Sequence, residues 1–123
     1  MLNKNFCSIV PYFKIHDGKL EDFKAFIAQA ISKAENEEGC LFYNYTISDD
    51  MVAHCREAYT DYKALLHHIE NVGDIIGNML KVSDLVSVEV HAPATDIDQL
   101  REPLKELNPI FYTVYEELSI STY

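Results

Sequence analysis

The chain has 123 residues, of which 48% are hydrophobic and 24% are charged. These values are typical of one globular domain, and they exclude a disordered chain, which would have fewer apolar residues. No apolar run is long enough to cross a bilayer, and residues 1–13 lack the basic start and long apolar run of a secretory signal. The formal net charge of −10 opposes binding to nucleic acid or to anionic membranes, since both would repel it.

Three cysteines, Cys7, Cys40 and Cys55, are an odd number with no close pair. Each lies in a predicted strand, so we expect buried, reduced thiols rather than disulfides. Reduced thiols fit a reducing compartment, and we expect a cytoplasmic protein.

Residues 6–15 are rich in aromatic and β-branched side chains and predict the first strand. Apolar residues then recur at helical spacing over residues 19–36, and Asp17 is expected to cap this helix. Gly39 suits the left-handed position just after a helix.

The following segments alternate between strand and helix patterns. Thr60 or Asp61 is expected to cap the second helix, and Gly73 to interrupt it. The predicted elements are a hairpin over 40–48 and 52–59, a helix after residue 61, a short helix over 74–80 and a strand over 85–92.

The resulting order, β-α-β-β-α-β, predicts an α+β ferredoxin-like domain with an antiparallel sheet over residues 1–95. Residues 96–123 form a C-terminal extension, packed on the same domain or on a dimer partner. In it, Asp96 is expected to cap a short helix that Pro103 kinks or divides. Residues 111–118 predict an edge strand.

The strands are apolar on both sides, although a sheet with helices on one face leaves its other face open. The first strand has Ile9 and Phe13 on one side, but Val10 and Tyr12 on the other. Exposing several such side chains is unfavourable at ~25 cal/mol per Å² of apolar surface. Either a second copy of the chain covers this face, giving a homodimer, or the extension covers it within one chain.

Three segments resemble the antibiotic biosynthesis monooxygenase family: DGKLEDFKAF (17–26), EEGCLFYNYTIS (37–48) and REAYTDYKALLHHIENVG (56–73). The marks are Glu38-Gly39 before the second strand, Glu57 with Tyr59 ending the third, and His68 on the next helix. The resemblance implies a dimeric ferredoxin-like α/β barrel. Relatives include quinol monooxygenases, oxygenases that use neither metal nor flavin, haem-degrading enzymes and members with no known activity.

Glu57 and His68 are the candidate catalytic residues. Glu57 shares a strand face with small and amphipathic residues, so its carboxyl is expected to be buried and to need a partner, which His68 can supply. Such a pair beside an apolar cavity could take a proton from a small aromatic or quinol substrate, as a cofactor-independent monooxygenase requires. The alternatives are that the pair only connects strand to helix, that the domain binds a small ligand without turnover, and that it is a structural or orphan dimeric domain of unknown function.

Aromatic side chains could line the cavity, with hydroxyl and amide groups orienting the substrate. The same residues could equally be core and interface packing. The candidates for substrate binding are Tyr12, Tyr43, Asn44, Tyr45 and Tyr59. No metal site is expected, since the adjacent His67 and His68 would point about 100° apart on a helix and no HExxH spacing occurs.

Overall fold

A computed structural model describes residues 6–118, and its elements follow the predicted order. They are β1 (Cys7–Ile15), α1 (Leu20–Ala34), β2 (Cys40–Ile47), β3 (Val52–Tyr59), α2 (Tyr62–Asn71), α3 (Gly73–Met79), β4 (Ser83–Ala92), α4 (Ala94–Leu100), a 3-10 helix (Lys105–Leu107) and β5 (Ile110–Thr113).

The strands form one sheet in the order β2-β3-β1-β4-β5. The first four pair antiparallel, and β5 pairs parallel with the end of β4. The β-α-β-β-α-β unit and the ferredoxin-like α+β fold are therefore confirmed. Within the described residues, no helix is both long and apolar enough to cross a membrane.

Cross-strand register places the odd-numbered residues of the first three strands on the face that carries the helices. Ile9 and Tyr43 both pair with Glu57, one on each side of β3. Phe13 and Phe23 meet edge to face at 5.5 Å between ring centroids, which anchors α1 on this face. The core therefore lies between the sheet and the helices, and the three cysteines are unpaired.

Two helix-boundary predictions were tested by the capping geometry. Asp61 caps α2, because its Oδ1 accepts a hydrogen bond from the backbone N–H of Ala64 at 2.8 Å. The prediction for Asp17 was wrong: Lys19 takes the cap position of α1 without a side-chain hydrogen bond. Asp17 lies instead in the turn that Gly18 closes at φ 76°.

Gly39 is required for a different reason from the one that its position suggested. Its φ is not in the left-handed region. A Cβ at this residue would lie 2.4 Å from Ala64 Cβ and 3.1 Å from Thr60 Oγ1. Glycine here allows the start of β2 to lie directly against the start of α2.

The extension begins on the helix-bearing face of its own chain. Ile97, Leu100 and Leu104 are buried in the same core cluster as β1 and β4. The break expected near Pro103 is present, since α4 ends at Leu100 and the 3-10 helix begins at Lys105. Asp96 does not cap α4, because Pro93 holds that position; its Oδ2 accepts a hydrogen bond from the Cys7 thiol at 3.2 Å.

The end of the extension meets the sheet at its edge. The predicted edge strand is confirmed but shorter, covering Ile110–Thr113. Residues 114–117 then border a groove on the open face, beside Val10 and Phe42. This part of the extension therefore lies over one end of the open face, where Val10 is buried.

Candidate functional site

Glu57 lies on the helix-bearing face of β3, in the centre of the protein. Its side chain is 4% exposed. Alternation along the strand places Cys55 and Tyr59 on the same face, both fully buried. The Tyr59 hydroxyl donates a short hydrogen bond to Glu57 Oε1. The expected buried carboxyl is therefore present, with one donor already supplied by its own strand.

His68 of α2 lies over this carboxyl. Its Nε2 is 3.3 Å from Glu57 Oε1, and its side chain is 2% exposed. The ring also contacts two tyrosine rings, with centroid distances of 4.7 Å to Tyr43 and 4.9 Å to Tyr59. The structure thus brings together the two residues that the sequence singled out.

Glu37, which the sequence interpretation missed, completes the cluster from the other side of His68. Both of its carboxylate oxygens lie 3.0 Å from His68 Nδ1. The Asn71 side chain donates to Glu37 Oε2 at 2.8 Å. Glu37 lies in the loop after α1, where its backbone N–H bonds to the carbonyl of Ala34 at 3.0 Å. Its only sequence signal was an acidic residue just before the Glu38-Gly39 motif.

The protonation of the cluster follows from its burial. The pKa of Glu57 is raised to about 8, mainly by burial and in smaller part by the nearby charge of Glu37. The hydrogen bonds from Tyr59 and Cys55 act in the opposite direction and lower this pKa. Burial also lowers the pKa of His68, although Glu37 opposes this effect. Both pKa shifts favour the uncharged forms of Glu57 and His68 at neutral pH. His68 then donates from Nδ1 to Glu37, and its Nε2 accepts the proton of Glu57.

The cluster is complete in its hydrogen bonding. Among the described residues, no buried side-chain nitrogen or oxygen lacks a partner. Nor does any group of three His, Cys, Asp or Glu side chains within residues 6–118 have the arrangement needed for a metal ion. The contacts from Glu57 to His68 and from His68 to Glu37 form a continuous path that can hold and move a proton.

A narrow apolar cavity of about 60 Å³ lies against Glu57 and His68. Its size is enough for several water molecules. Residues from the sheet, α2, α3 and the 3-10 helix line it, and the polar side chains among them are Tyr43, Glu57 and His68. The apolar lining is Ile9, Pro11, Phe13, Ile69, Val72, Ile76, Leu80, Leu85, Val88 and Leu107.

Two further tyrosines lie at or near this site on the same face. Tyr43 and Tyr45 share a hydrogen bond of 2.9 Å between their hydroxyls, and the Tyr45 hydroxyl also donates to the sulfur of Met79 at 3.8 Å. Burial raises the pKa of both hydroxyls, so they remain protonated donors. Of this pair, Tyr43 lines the cavity and Tyr45 supports it from outside.

Tyr12 and Asn44 lie on the open face of the sheet, away from the cavity. Tyr12 stacks on His54 at 4.8 Å between centroids. Asn44 accepts a hydrogen bond from Arg56 Nε at 3.3 Å. Both have the opposite strand parity to Glu57, so they cannot line the same cavity.

Three solved structures show what the chain resembles. MupZ from Pseudomonas fluorescens is 35% identical, with a TM-score of 0.90 over 96% of this chain and 92% of that one. A Caulobacter crescentus protein described as an antibiotic biosynthesis monooxygenase is 24% identical, with a TM-score of 0.64 over 71% of this chain and 88% of that one. A Chloroflexus aurantiacus protein of the same description is 15% identical, with a TM-score of 0.60 over 72% of this chain and 93% of that one.

No family model matches the chain, and no curated protein does. The two weaker likenesses show the fold alone. Each matches about the share of the chain that residues 6–93 make up, 88 of 123 residues, which is the chain without its C-terminal extension.

Proposed function

We propose that this chain, which has the fold of the antibiotic biosynthesis monooxygenase family, is a cofactor-independent monooxygenase acting on a small phenol or quinol. One observation carries the proposal: a buried carboxyl of raised pKa and its histidine partner form the polar wall of an apolar cavity. Neither a metal nor a flavin takes part in the proposed reaction.

The reaction begins with loss of the substrate's hydroxyl proton. The resulting anion is electron-rich and reacts with O₂. One oxygen atom replaces a ring hydrogen and becomes a quinone carbonyl, and the other leaves as water. Both hydrogens of that water and all the electrons come from the substrate, so no external reductant is needed.

The pKa of Glu57 supports its role as the base. A phenol ionises near pH 10, so a carboxylate with a pKa of about 8 is only about 2 units weaker than the phenolate it forms. A carboxylate at the ordinary value of 4.5 would be more than 5 units weaker. His68 Nε2 lies within reach of the proton that Glu57 accepts, and Glu37 stabilises the Nδ1–H that faces it.

Oxygen consumption with a panel of small quinols and phenols tests the proposal. Glu57→Gln removes the base but keeps the shape of the side chain, and we expect a loss of at least about 100-fold in kcat/KM. His68→Gln should lower the rate as well. Asn44→Ala, on the opposite face, is the matched control and should keep the parent rate. Absence of oxygen uptake, or uptake indifferent to Glu57 and His68, would remove the proposal.

The alternative function is binding of a small aromatic ligand without turnover. The fully paired Glu37–His68–Glu57 cluster supports a protein without turnover, since such a cluster can also serve to connect β3 with the helices. Native mass spectrometry distinguishes the two. A co-purified small molecule without oxygen uptake would favour binding alone.

We also propose that the protein is a homodimer that pairs through the open face. Large apolar side chains remain exposed there and on the extension: Tyr112 is 45% exposed and Tyr115 is 93% exposed. Tyr115 lines the groove that borders Val10 and Phe42, and Tyr112 lies on the adjoining strand β5. A second copy is the simplest cover for such a surface.

Sedimentation equilibrium tests the dimer. The expected mass is twice the chain mass of 14.1 kDa. Tyr115→Ser should weaken the association, while Ile31→Ser, which changes an exposed side chain on α1, should not. A single species of one chain mass at micromolar concentration would contradict the proposal.

A further inference from the structure

We propose that Asn71 is a positioning residue that decides which of the two carboxyl groups of the Glu37–His68–Glu57 cluster carries a proton. Its side chain holds the negative charge on Glu37, and through His68 it thereby keeps the proton on Glu57. This inference rests on the proposed function only for its effect on the reaction, because the position of the proton can be measured in the protein alone.

Asn71 is the last residue of α2, and its side chain joins the ends of two helices beside the cluster. Its Nδ2 donates to Glu37 Oε2 at 2.8 Å and to the backbone carbonyl of Lys33, near the end of α1, at 3.2 Å. Lys33 Nζ donates in return to the backbone carbonyl of Asn71 at 3.1 Å. Both partners of the Asn71 side chain are acceptors, so its NH₂ group must face them. The orientation of the amide is therefore fixed.

The cluster permits two arrangements with the same number of protons. In the first, Glu57 is protonated, His68 carries its proton on Nδ1 and Glu37 is ionised. In the second, Glu57 is ionised, His68 carries its proton on Nε2 and Glu37 is protonated. The Glu57 O–H and His68 Nδ1–H bonds break on going from the first to the second, and Nε2–H and Glu37 O–H bonds form. The contacts of 3.3 Å and 3.0 Å on the two sides of the ring allow both transfers.

Burial alone does not choose between these arrangements. The side chains of Glu37 and Glu57 are 3% and 4% exposed, so a negative charge is about equally deep at either residue. The net charge is the same in both arrangements, so neither buries a second charge. The choice therefore depends on the hydrogen bonds at each carboxylate, because a donor stabilises the ionised form.

Hydrogen-bond donors compete for the charge across the ring of His68. Tyr59 donates to Glu57 and favours the ionised form there, whereas Asn71 donates to Glu37 and favours the ionised form there. The raised pKa of Glu57 and the lowered pKa of His68 agree with the first arrangement. The other titratable groups around the cluster are Cys40, Tyr43 and Tyr45 of β2, Cys55 of β3, His67 of α2 and Lys33 of α1.

The tautomer of His68 in the full chain, read at neutral pH by long-range ¹H–¹⁵N NMR of the imidazole, tests the inference. In the parent protein the proton should be mainly on Nδ1. Asn71→Ala removes a hydrogen bond to a carboxylate, which should move the ratio of the two arrangements toward Nε2–H by roughly 10-fold to 100-fold. Asn71→Asp places a further carboxylate beside Glu37 and should move the ratio further. Both substitutions leave every other titratable group of the cluster in place.

Asn78→Ala and Asn78→Asp are the matched controls, because they make the same chemical changes on α3, and His68 should keep the parent tautomer in both. A proton mainly on Nε2 in the parent would overturn the inference, and so would an equal tautomer ratio in the parent and both Asn71 variants. A doubly protonated ring in the variants would overturn it as well, because the proton would then have stopped on His68.

The pH dependence of oxygen uptake is a second readout. The Asn71 variants place more of the negative charge on Glu57, so each rate, relative to its own maximum, should begin to rise at a lower pH than the parent rate. If Asn71 served only to hold α1 against α2, its loss would lower the free energy of unfolding, measured separately in urea, without moving this profile. A profile that stays in place would therefore overturn the inference.

The inference and the proposed function fail separately. If the tautomer moves as expected but no oxygen is consumed, Asn71 has the proposed role and the protein is not an oxygenase. If oxygen is consumed through Glu57 but the tautomer of His68 is the same in all the variants, only the role of Asn71 is wrong.

Discussion

Replacing Glu57 by glutamine should make the protein more stable at alkaline pH than its parent. Glutamine keeps the shape of the side chain, and its oxygen can accept the hydrogen bond from Tyr59, but it does not ionise. The parent must either bury a charge at Glu57 or keep a proton on it. The difference in the free energy of unfolding between the two proteins should therefore depend on pH.

The size of this effect follows from the pKa of Glu57, which burial raises from 4.5 to about 8. Below pH 4.5 the carboxyl is protonated in both the folded and the unfolded chain. Between pH 4.5 and pH 8 only the folded chain keeps the proton, so the free energy of unfolding falls by about 1.4 kcal/mol per pH unit. Above pH 8 both states are ionised, and the total loss stays at about 5 kcal/mol.

Urea unfolding followed by circular dichroism, from about pH 5 to about pH 9 at one protein concentration, measures the effect. The advantage of Glu57→Gln over the parent should grow with pH and level off above about pH 8. Glu70→Gln makes the same chemical change at an exposed residue of α2, and its difference from the parent should vary much less. A constant difference for Glu57→Gln would show that the folded protein ionises Glu57 at an ordinary pH, and the assignment of the cluster would be wrong.

Three further predictions concern the same region. The rate of oxygen uptake should rise with pH and level off above about pH 8, because the base must be ionised; a profile flat from about pH 6 to about pH 9 would exclude Glu57 as the base. Glu37→Gln replaces the charged partner of His68 by a neutral one, so the pKa of His68, measured by NMR, should fall further. The same substitution should lower the free energy of unfolding by about 1–3 kcal/mol. An unchanged titration of His68 would contradict the contact between the two residues. Gly39→Ala should lower the free energy of unfolding by about 1–3 kcal/mol, because the new Cβ would clash with Ala64. Gly77→Ala in α3, whose Cβ would have no neighbour within 4 Å, should instead raise the free energy of unfolding by up to about 1 kcal/mol. Equal effects of the two substitutions in thermal unfolding would refute the packing argument.

The sequence was sufficient for the fold and for two of the three residues of the cluster. Period-two and helical patterns are local, so they predicted the element order, and strand parity placed Glu57 inward. The contact between Glu57 and His68 could be anticipated because α2 directly follows β3. Glu37 could not, because it lies in a loop without periodicity and meets His68 only when the loop after α1 packs against α2.

The predicted substrate-binding residues were grouped by residue type and not by strand face, and the structure places them on two different faces. Tyr43 and Tyr45 alternate with Asn44, so these three residues could not share one cavity. Tyr12 likewise alternates with Phe13, which points into the core. Strict use of strand parity would have kept Tyr43, Tyr45 and Tyr59 and left out Tyr12 and Asn44.

The Glu37–His68–Glu57 cluster also constrains how this sequence can diverge. Its members come from three separate segments, and each is the buried partner of the next. Loss of any one leaves a polar group buried without its partner, whereas simultaneous replacement by apolar residues of similar volume would cost little. Among homologues, these three positions should therefore covary as a unit, with either all three polar residues kept or all three replaced.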